Sequence, residues 1–236
     1  LLIVVFGVFI GMQVTNWNAE NAGEKQATVL LNRIYNDLQN DVLAINTELE
    51  YQAVVRNYAI TAVNALNNKD VVSDEQFVIG AYQASQQNGV WSNRATYNEI
   101  LSTGQINLIK DETLKALIFG YFAVDFSTQP YILKTAPYRE YIRRYTPVAI
   151  QDAIKVQCGD LVIKVANTFA SKLTQTCDLD IAERMLKQTA DFLRSQPDVL
   201  YDLQFQISVN DTKVVDLKEV LNASKNLMKT IKVHQL

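Results

Sequence analysis

Residues 26–49 read QATVLLNRIYNDLQNDVLAINTEL, and their apolar positions recur at the spacing of an α-helix. The pattern continues for about three heptads, the lower limit for a coiled coil. Asn, Gln and Thr occupy most of the other positions, where a coiled coil usually carries pairs of opposite charge. The stretch therefore predicts a helix of a packed bundle that ends near Asn67, with a coiled coil as the alternative. The apolar positions are Leu31, Ile34, Leu38, Val42, Ile45 and Leu49.

An uncharged apolar segment, LLIVVFGVFIGMQV, precedes this helix at residues 1–14. It would make a helix of roughly 21 Å, shorter than the ~30 Å hydrocarbon core of a bilayer. We expect a transmembrane anchor over residues 1–18 whose cytoplasmic start lies before Leu1. The alternative is the apolar core of a signal peptide, although residues 13–21 contain no obvious small-residue cleavage site. Because no proline occurs before Pro130, the anchor is predicted to continue unbroken into the next helix.

Three residues of the anchor indicate how it would contact its surroundings. Trp17 lies between two asparagines, where an amphipathic ring rests at the headgroup level of a bilayer. Gly7 and Gly11 form a Gly-x-x-x-Gly pair, which lets two membrane helices pack closely, although glycine is also common in membrane helices in general. No Lys/Arg cluster follows the anchor, so residues 19–236 are predicted to form a helical extracytoplasmic domain in the periplasm.

The composition excludes several classes of protein. The 236 residues are 48% apolar and 20% charged, which is typical of a folded chain and not of a disordered one. A net charge of −3 and a pI near 5.3 argue against a nucleic-acid-binding protein. One histidine, two cysteines and eight glycines offer little for a metal site or a phosphate-binding loop, and no familiar catalytic motif occurs. We therefore expect no cofactor, no metal and no enzymatic activity.

Turn and cap signals divide the middle of the chain into helices. A second helix is predicted over residues 73–87, ended by the Asn-Gly pair that follows. Thr96 and Glu99 have the spacing of a capping box, which starts a helix at the residue after Thr96. Gly104 is placed to end that helix in a left-handed conformation, and Asp111 to cap the next one. The side chains expected on one face of that next helix are Leu114, Leu117, Ile118 and Tyr121.

Cys158 and Cys177 lie nineteen residues apart, and an exported chain with an even number of cysteines usually pairs them. We expect a disulfide here, worth about 3 kcal/mol in the chain-entropy model. Residues 162–172, between the two cysteines, are predicted to be helical. Two further helices are predicted between residues 181 and 233, although 203–209 (LQFQISV) alternates as a strand would.

The sequence YREYIRRY, residues 138–145, is a local cluster of basic and aromatic side chains. The dipeptides Gln129-Pro130 and Ala136-Pro137 are predicted to break the chain before it. One interpretation is a surface for an anionic partner, such as a lipid headgroup or an acidic protein. The other is a solvated helix face on which arginine stacks against tyrosine. The arginines of this candidate partner surface are Arg139, Arg143 and Arg144.

Four patches together form a more specific pattern. They are Gln13-Val14-Thr15-Asn16-Trp17-Asn18, the run Thr96-Tyr97-x-Glu99-x-Leu101-x-Thr103-Gly104, Leu108-Ile109 with the helix through Tyr121, and Tyr138-Arg139-x-x-Ile142 leading to Pro147. Covering roughly a third of the chain, they resemble a bacterial family of single-pass membrane proteins of uncharacterised function. The resemblance implies a short cytoplasmic N-terminus, one membrane helix and a helical extracytoplasmic domain. It implies no activity and no catalytic residues.

These expectations favour a non-catalytic accessory or scaffold subunit in a bacterial inner membrane, docked on a larger membrane complex through its anchor helix. The partners would be membrane lipid and that complex, with a homo-oligomer also compatible and no nucleic acid. The alternative is a periplasmic module in which a helical bundle holds a small ligand. A membrane-bound enzyme is the third and least supported hypothesis, because it would need carboxylates that only folding brings together.

Overall fold

The protein is mainly helical in the computed structural model, which describes residues 2–68, 72–89, 93–124, 136–165 and 167–234. The mainly α fold is therefore confirmed, and the predicted break at Gln129-Pro130 lies outside the described residues. The helices are α1 (Leu2–Asn67), α2 (Asp74–Gln83), α3 (Ala95–Ser102), α4 (Glu112–Ala123), α5 (Pro137–Tyr145), α6 (Val148–Cys158), α7 (Glu183–Arg194) and α8 (Asp198–His234), with a 3₁₀ helix at Gln105–Leu108 and strands β1 (Leu161–Val165) and β2 (Thr168–Lys172).

The chain divides into two compact units. Unit 1 consists of Leu1–Asp41, Asn93–Val124 and Asn222–Leu236, and unit 2 of Val42–Ser92 and Asp125–Leu221. Helices α1 and α8 contribute residues to both units, because neither helix ends where the units divide. The predicted boundary at residue 18 concerns the membrane and stays a prediction.

Helix α1 runs unbroken for 66 residues, as predicted, because its sequence contains no proline. From Ile34 to Ala62 a line of buried positions recurs at alternating spacings of four and three residues, which keeps them on one face of the helix. We call this line the α1 seam. Its members are Ile34, Leu38, Asp41, Ile45, Glu48, Gln52, Val55, Ala59 and Ala62, so three of its nine positions are polar.

Unit 1 packs α3, the 3₁₀ helix, α4 and the end of α8 with the first part of α1. The Tyr121 hydroxyl of α4 donates to Asp41 in the α1 seam at 2.7 Å. The Ser224 hydroxyl of α8 donates to the carbonyl of Leu38 at 3.4 Å. The rings of Tyr97 and Phe122 stack with their centroids 4.4 Å apart. The largest buried apolar side chains of this unit include Leu30, Ile34, Leu38, Ile100, Leu114, Ile118, Leu227 and Ile231.

The capping box predicted at Thr96 is wrong. Helix α3 begins two residues earlier than predicted, at Ala95, and its N-cap residue Arg94 makes no side-chain cap bond. The carboxylate of Glu99 instead accepts from the Arg33 guanidinium of α1, with Nη1 and Oε1 2.9 Å apart. The Glu99 carboxylate, which would have completed the capping box, therefore forms a tertiary ion pair instead.

The other two signals of this region are confirmed. Gly104 adopts a left-handed conformation with φ of 70°, which any side chain would strain. The carboxylate of Asp111 caps α4 by accepting from the Leu114 amide at 2.7 Å. Leu117 is the exception to the predicted apolar face, because it is 43% exposed.

Unit 2 buries its apolar core between α2, α5, α6, α7 and parts of α1 and α8. The Tyr138 hydroxyl of α5 donates to the Ala81 carbonyl of α2 at 2.8 Å. A Cβ at Gly80 would lie 3.0 Å from the Tyr58 carbonyl oxygen, so α2 and α1 approach closely there. Helix α2 ends at Gln83 and not at residue 87 as predicted. The apolar core includes Ala59, Phe77, Val78, Tyr82, Tyr138, Ile142, Ile150, Ile154, Leu186, Leu193, Val199 and Leu203.

The helix predicted over residues 162–172 is also wrong, because this segment forms an antiparallel hairpin of β1 and β2. Leu161 pairs with Lys172 and Val165 with Thr168. The segment LVIKV is rich in β-branched residues, which favour strands, and it is too short to compete as an isolated helix. By contrast, residues 203–209 are helical within α8, as predicted despite their alternating pattern.

Two glycines of unit 1 provide an opposed pair of stability tests. Gly104→Ala should lower the free energy of unfolding by about 1 kcal/mol, because alanine is strained at positive φ. Gly120→Ala, inside α4 with no atom within 4 Å of the new Cβ, should raise it by about 0.5–1 kcal/mol. Urea unfolding followed by circular dichroism measures both changes, and equal shifts in one direction would contradict the backbone assignment.

Candidate functional site

The N-terminal part of α1 exposes apolar side chains on most of its circumference. Their exposed fractions lie between 52% and 63%. A Cβ added at Gly7 or Gly11 would have no atom within 4 Å, and Thr15 continues the same face one turn later. The Thr15 hydroxyl donates to the Gly11 carbonyl at 2.9 Å, which satisfies it within the helix. The exposed apolar residues, here called the apolar segment, are Val5, Phe6, Val8, Phe9, Ile10, Met12, Val14 and Trp17.

No helix among the described residues is both long enough and apolar enough to cross a bilayer. The transmembrane anchor expected over residues 1–18 therefore has no support among the described residues.

The structure turns two of the three predicted surface arginines toward unit 2's own core. Arg139 donates to the Ser85 carbonyl, and Arg143 donates to the Tyr82 hydroxyl at 3.0 Å. The Arg143 guanidinium also lies 4.6 Å from the centroid of the Tyr82 ring. Burial lowers the pKa of Arg139, and the neighbouring charge of Arg143 lowers it further. Arg144 is exposed, so it is the member of the trio that is open to a partner.

A buried polar cluster lies deeper in unit 2. Lys213 of α8 pairs with Glu48 in the α1 seam at 2.5 Å, and their side chains are only 7% and 3% exposed. The same carboxylate accepts from Gln52 at 2.7 Å and from Asn88 at 2.8 Å. Lys213 also donates to the Asn88 carbonyl. The cluster of Glu48, Gln52, Asn88 and Lys213 thus surrounds one buried carboxylate with three donors.

Several buried polar atoms of unit 2 have no partner among the described residues. They include Oε1 of Gln52, Oε1 of Gln206 and Nε of Arg143. A buried polar atom without a hydrogen bond is costly, and such atoms usually bind an internal water or a polar ligand. The interior of unit 2 can therefore accept additional hydrogen-bonding groups.

Sequence reasoning missed the polar cluster, although α1 carries a signal for it. Glu48 and Gln52 occupy positions of the heptad-like line at which apolar residues are expected. A charged residue at a core position implies a buried partner. Its partner Lys213 lies 165 residues away and could not be identified from spacing.

The predicted disulfide between Cys158 and Cys177 is confirmed, with Cα atoms 5.5 Å apart. The hairpin of β1 and β2 lies within the loop that this bond closes. An isolated two-stranded hairpin is marginally stable in water, so the bond braces it. Val162 and Phe169 are 73% and 72% exposed, so the braced hairpin presents apolar side chains outward.

The described residues offer few candidates for catalysis or metal binding. No group of three or more His, Cys, Asp or Glu side chains is placed there to hold a metal ion. His234 pairs with Asp111 in unit 1, with Nε2 and Oδ2 2.5 Å apart. This bond to Asp111 raises the pKa of His234, while the Leu114 amide and then His234 lower the pKa of Asp111. The pair lies at the start of α4 and joins it to the end of α8.

Residues 1–128 match DUF6090, a family of unknown function. The chain belongs to this family. The match covers more than half of the sequence and includes the apolar segment, the α1 seam and α4, but neither Lys213 nor the disulfide. Comparisons with curated proteins and with solved structures found no match. The bacterial origin and single-pass topology implied by the resemblance stay predictions, and the family assigns no activity.

The buried ion pair of unit 2 gives a second stability test. Lys213→Met should lower the free energy of unfolding by about 3–5 kcal/mol, because it leaves the Glu48 carboxylate buried without its cation. The double variant Glu48→Leu/Lys213→Met should recover part of this loss, because it removes the unpaired charge but also takes the acceptor from Gln52 and Asn88. Arg56→Met, which breaks an exposed pair with Asp211 in the same unit, is the matched control and should cost less than about 1 kcal/mol. Equal effects of the two single variants in urea unfolding would contradict the buried pair.

Proposed function

We propose that this protein is a non-catalytic accessory subunit anchored in a bacterial inner membrane by residues 1–18. Residues 19–236 would lie in the periplasm, and the anchor helix would dock the subunit on a larger membrane complex. The observation that carries the proposal is the apolar segment of α1, whose large side chains have no protein cover in the described residues.

Water is a poor environment for this segment. Apolar surface left in water costs about 25 cal/mol per Å² relative to an apolar medium. Folded monomers rarely expose a contiguous apolar patch of more than a few hundred Å², and larger patches mark contact with a membrane or a protein. A lipid bilayer would cover all sides of the segment, and Trp17 at its end has the amphipathic ring that favours the headgroup level.

A second helix is the natural neighbour for one side of this anchor. Gly7, Gly11 and Thr15 follow one another at intervals of four residues, so they share a face without large side chains. In lipid, such small-residue faces allow close packing of helix backbones. This face supports docking on a membrane partner, and the larger side chains on the other faces would contact lipid.

The disulfide supports a periplasmic location for residues 19–236. Disulfides form and persist in oxidising compartments and are rare in the cytosol. Cys158 and Cys177 account for both cysteines of the sequence, so the bond leaves no free thiol. This pairing is typical of an exported domain.

A second candidate function is a helical module that binds a small polar ligand inside unit 2. The unpartnered buried atoms of Gln52, Gln206 and Arg143 favour it, because a ligand with complementary donors and acceptors would satisfy them. This function would not need the apolar segment of α1. It therefore makes a different prediction about what remains bound after purification.

The anchor is tested by charging the apolar segment. Phe6→Asp/Phe9→Asp should release the full-length protein from membranes during an alkaline carbonate wash, because each aspartate costs about 2.5–3.5 kcal/mol near the centre of a membrane helix. Val162→Asp/Phe169→Asp, which charges similarly exposed apolar residues of the hairpin, is the matched control and should stay in the pellet. Release of the unmodified protein by the same wash would contradict the proposal.

The partner is tested by native mass spectrometry after gentle detergent extraction. A stoichiometric membrane protein should accompany the wild type, and Gly7→Ile/Gly11→Ile should lose it because the added side chains hold the helices apart. Circular dichroism checks that the variant keeps its fold. A chain that carries a small molecule and no protein would instead support the ligand-binding function and overturn the accessory subunit.

A further inference from the structure

A groove in unit 1 lies between α1 and the last turns of α8. Tyr35 provides the α1 side, and the α8 side is built from residues 225–233. Its volume is about 340 Å³, within the roughly 300–1,000 Å³ that small-molecule sites occupy. We call it the basic groove, and its lining residues are Tyr35, Lys225, Met228, Lys229, Lys232 and Val233.

The lysines of the groove form an uncompensated cluster of positive charge. Lys225, Lys229 and Lys232 follow one another at intervals of four and three residues, so they project from one side of α8. Like charges at this spacing repel each other. Residues 220–234 contain no Asp or Glu, and none of the ion pairs among the described residues involves these lysines.

Stabilisation of the helix dipole does not account for all three lysines of the groove. Basic residues in the last turn of a helix offset its dipole, but Lys225 and Lys229 lie before the last turn of α8. On the α1 side, Arg33 pairs with Glu99, and Asp37 accepts from the Asn93 side chain through Oδ1 at 2.9 Å. The other carboxylate oxygen of Asp37, Oδ2, is buried without a hydrogen-bond partner, and no ion pair among the described residues joins Asp37 to a lysine of the groove.

The remaining lining of the groove is apolar or aromatic. Met228 and Val233 contribute apolar surface, and the Lys232 ammonium lies 5.2 Å from the centroid of the Tyr35 ring. The Tyr35 hydroxyl has no hydrogen-bond partner among the described residues, so it is free to donate to a ligand. An apolar floor beside three ammonium groups matches a molecule that has both an apolar body and a negative charge.

We propose that the basic groove binds a small anionic amphiphile. Its carboxylate or phosphate would be held by the ammonium groups of Lys225, Lys229 and Lys232, and its apolar part would lie on Met228, Val233 and the Tyr35 ring. Charge-assisted hydrogen bonds give the site its preference for an anion. The apolar floor gives it a preference for an amphiphile over an inorganic ion.

The proposal is tested with the full chain and octyl phosphate, titrated by calorimetry below its critical micelle concentration. The variant Lys225→Gln/Lys229→Gln/Lys232→Gln should bind at least about tenfold more weakly than the wild type, because it removes all three cationic donors. The matched control, Lys164→Gln/Lys172→Gln/Lys218→Gln, removes three exposed lysines of unit 2 and should bind within about twofold of the wild type.

Two comparison probes identify the source of any signal. Inorganic phosphate should bind far more weakly than octyl phosphate, and octyltrimethylammonium should show no lysine-dependent binding. Binding of octyl phosphate that is equal in all three proteins would show that the groove lysines do not hold it and would overturn the proposal. An equal loss in both triple variants would reflect net charge alone and would also overturn it.

Vesicles separate a monomeric ligand from a membrane surface. If the groove lysines matter for binding to phosphatidylglycerol vesicles but not to octyl phosphate, the cluster contacts a bilayer and the small-ligand proposal fails. Met228→Asn/Val233→Asn should weaken the binding of octyl phosphate and leave the binding of inorganic phosphate unchanged. Equal effects on both probes would contradict the apolar floor. All of these comparisons are made between variants that share the same apolar segment, so this proposal and the proposed function can fail separately.

Discussion

The α1 seam is the constraint on which both units depend, because a single 66-residue helix supplies a buried face to each of them. Alternating spacings of four and three residues keep this face continuous from Ile34 to Ala62. Apolar members alone would allow neighbouring helices to slide by a turn at little cost. Asp41 and Glu48 oppose such a slip, since each bonds to groups outside α1, whereas Gln52 bonds to Glu48 within α1 itself.

Those partners differ between the two units. In unit 1, Asp41 accepts from the Tyr121 hydroxyl at 2.7 Å and from the Asn93 amide at 3.0 Å. In unit 2, Glu48 forms an ion pair with Lys213, and a slip of α8 by one turn would leave these two buried charges unpaired. Buried polar groups therefore set the register, while the apolar members of the seam supply most of the burial energy.

The surfaces that point to function are separate from this buried architecture. Unit 1 carries both the apolar segment and the basic groove, two places where side chains lack the protein partners that would normally cover or neutralise them. Unit 2 carries the disulfide-braced hairpin and a polar interior with unpartnered atoms. The family has no known function, so the proposed roles rest on these exposed or unsatisfied groups.

The sequence by itself determined the features that depend on neighbouring residues. Helical periodicity predicted α1 and α8, the positive φ of Gly104 followed from its position after a helix, and Asp111 was recognisable as a cap. Tertiary structure decided what depends on distant residues. It turned Glu99 away from its own helix toward Arg33, made a hairpin of residues 162–172, and joined Glu48 to Lys213. Local sequence rules fail there because the deciding interactions join groups that are far apart in the sequence. Only the packing of the folded chain brings these groups together.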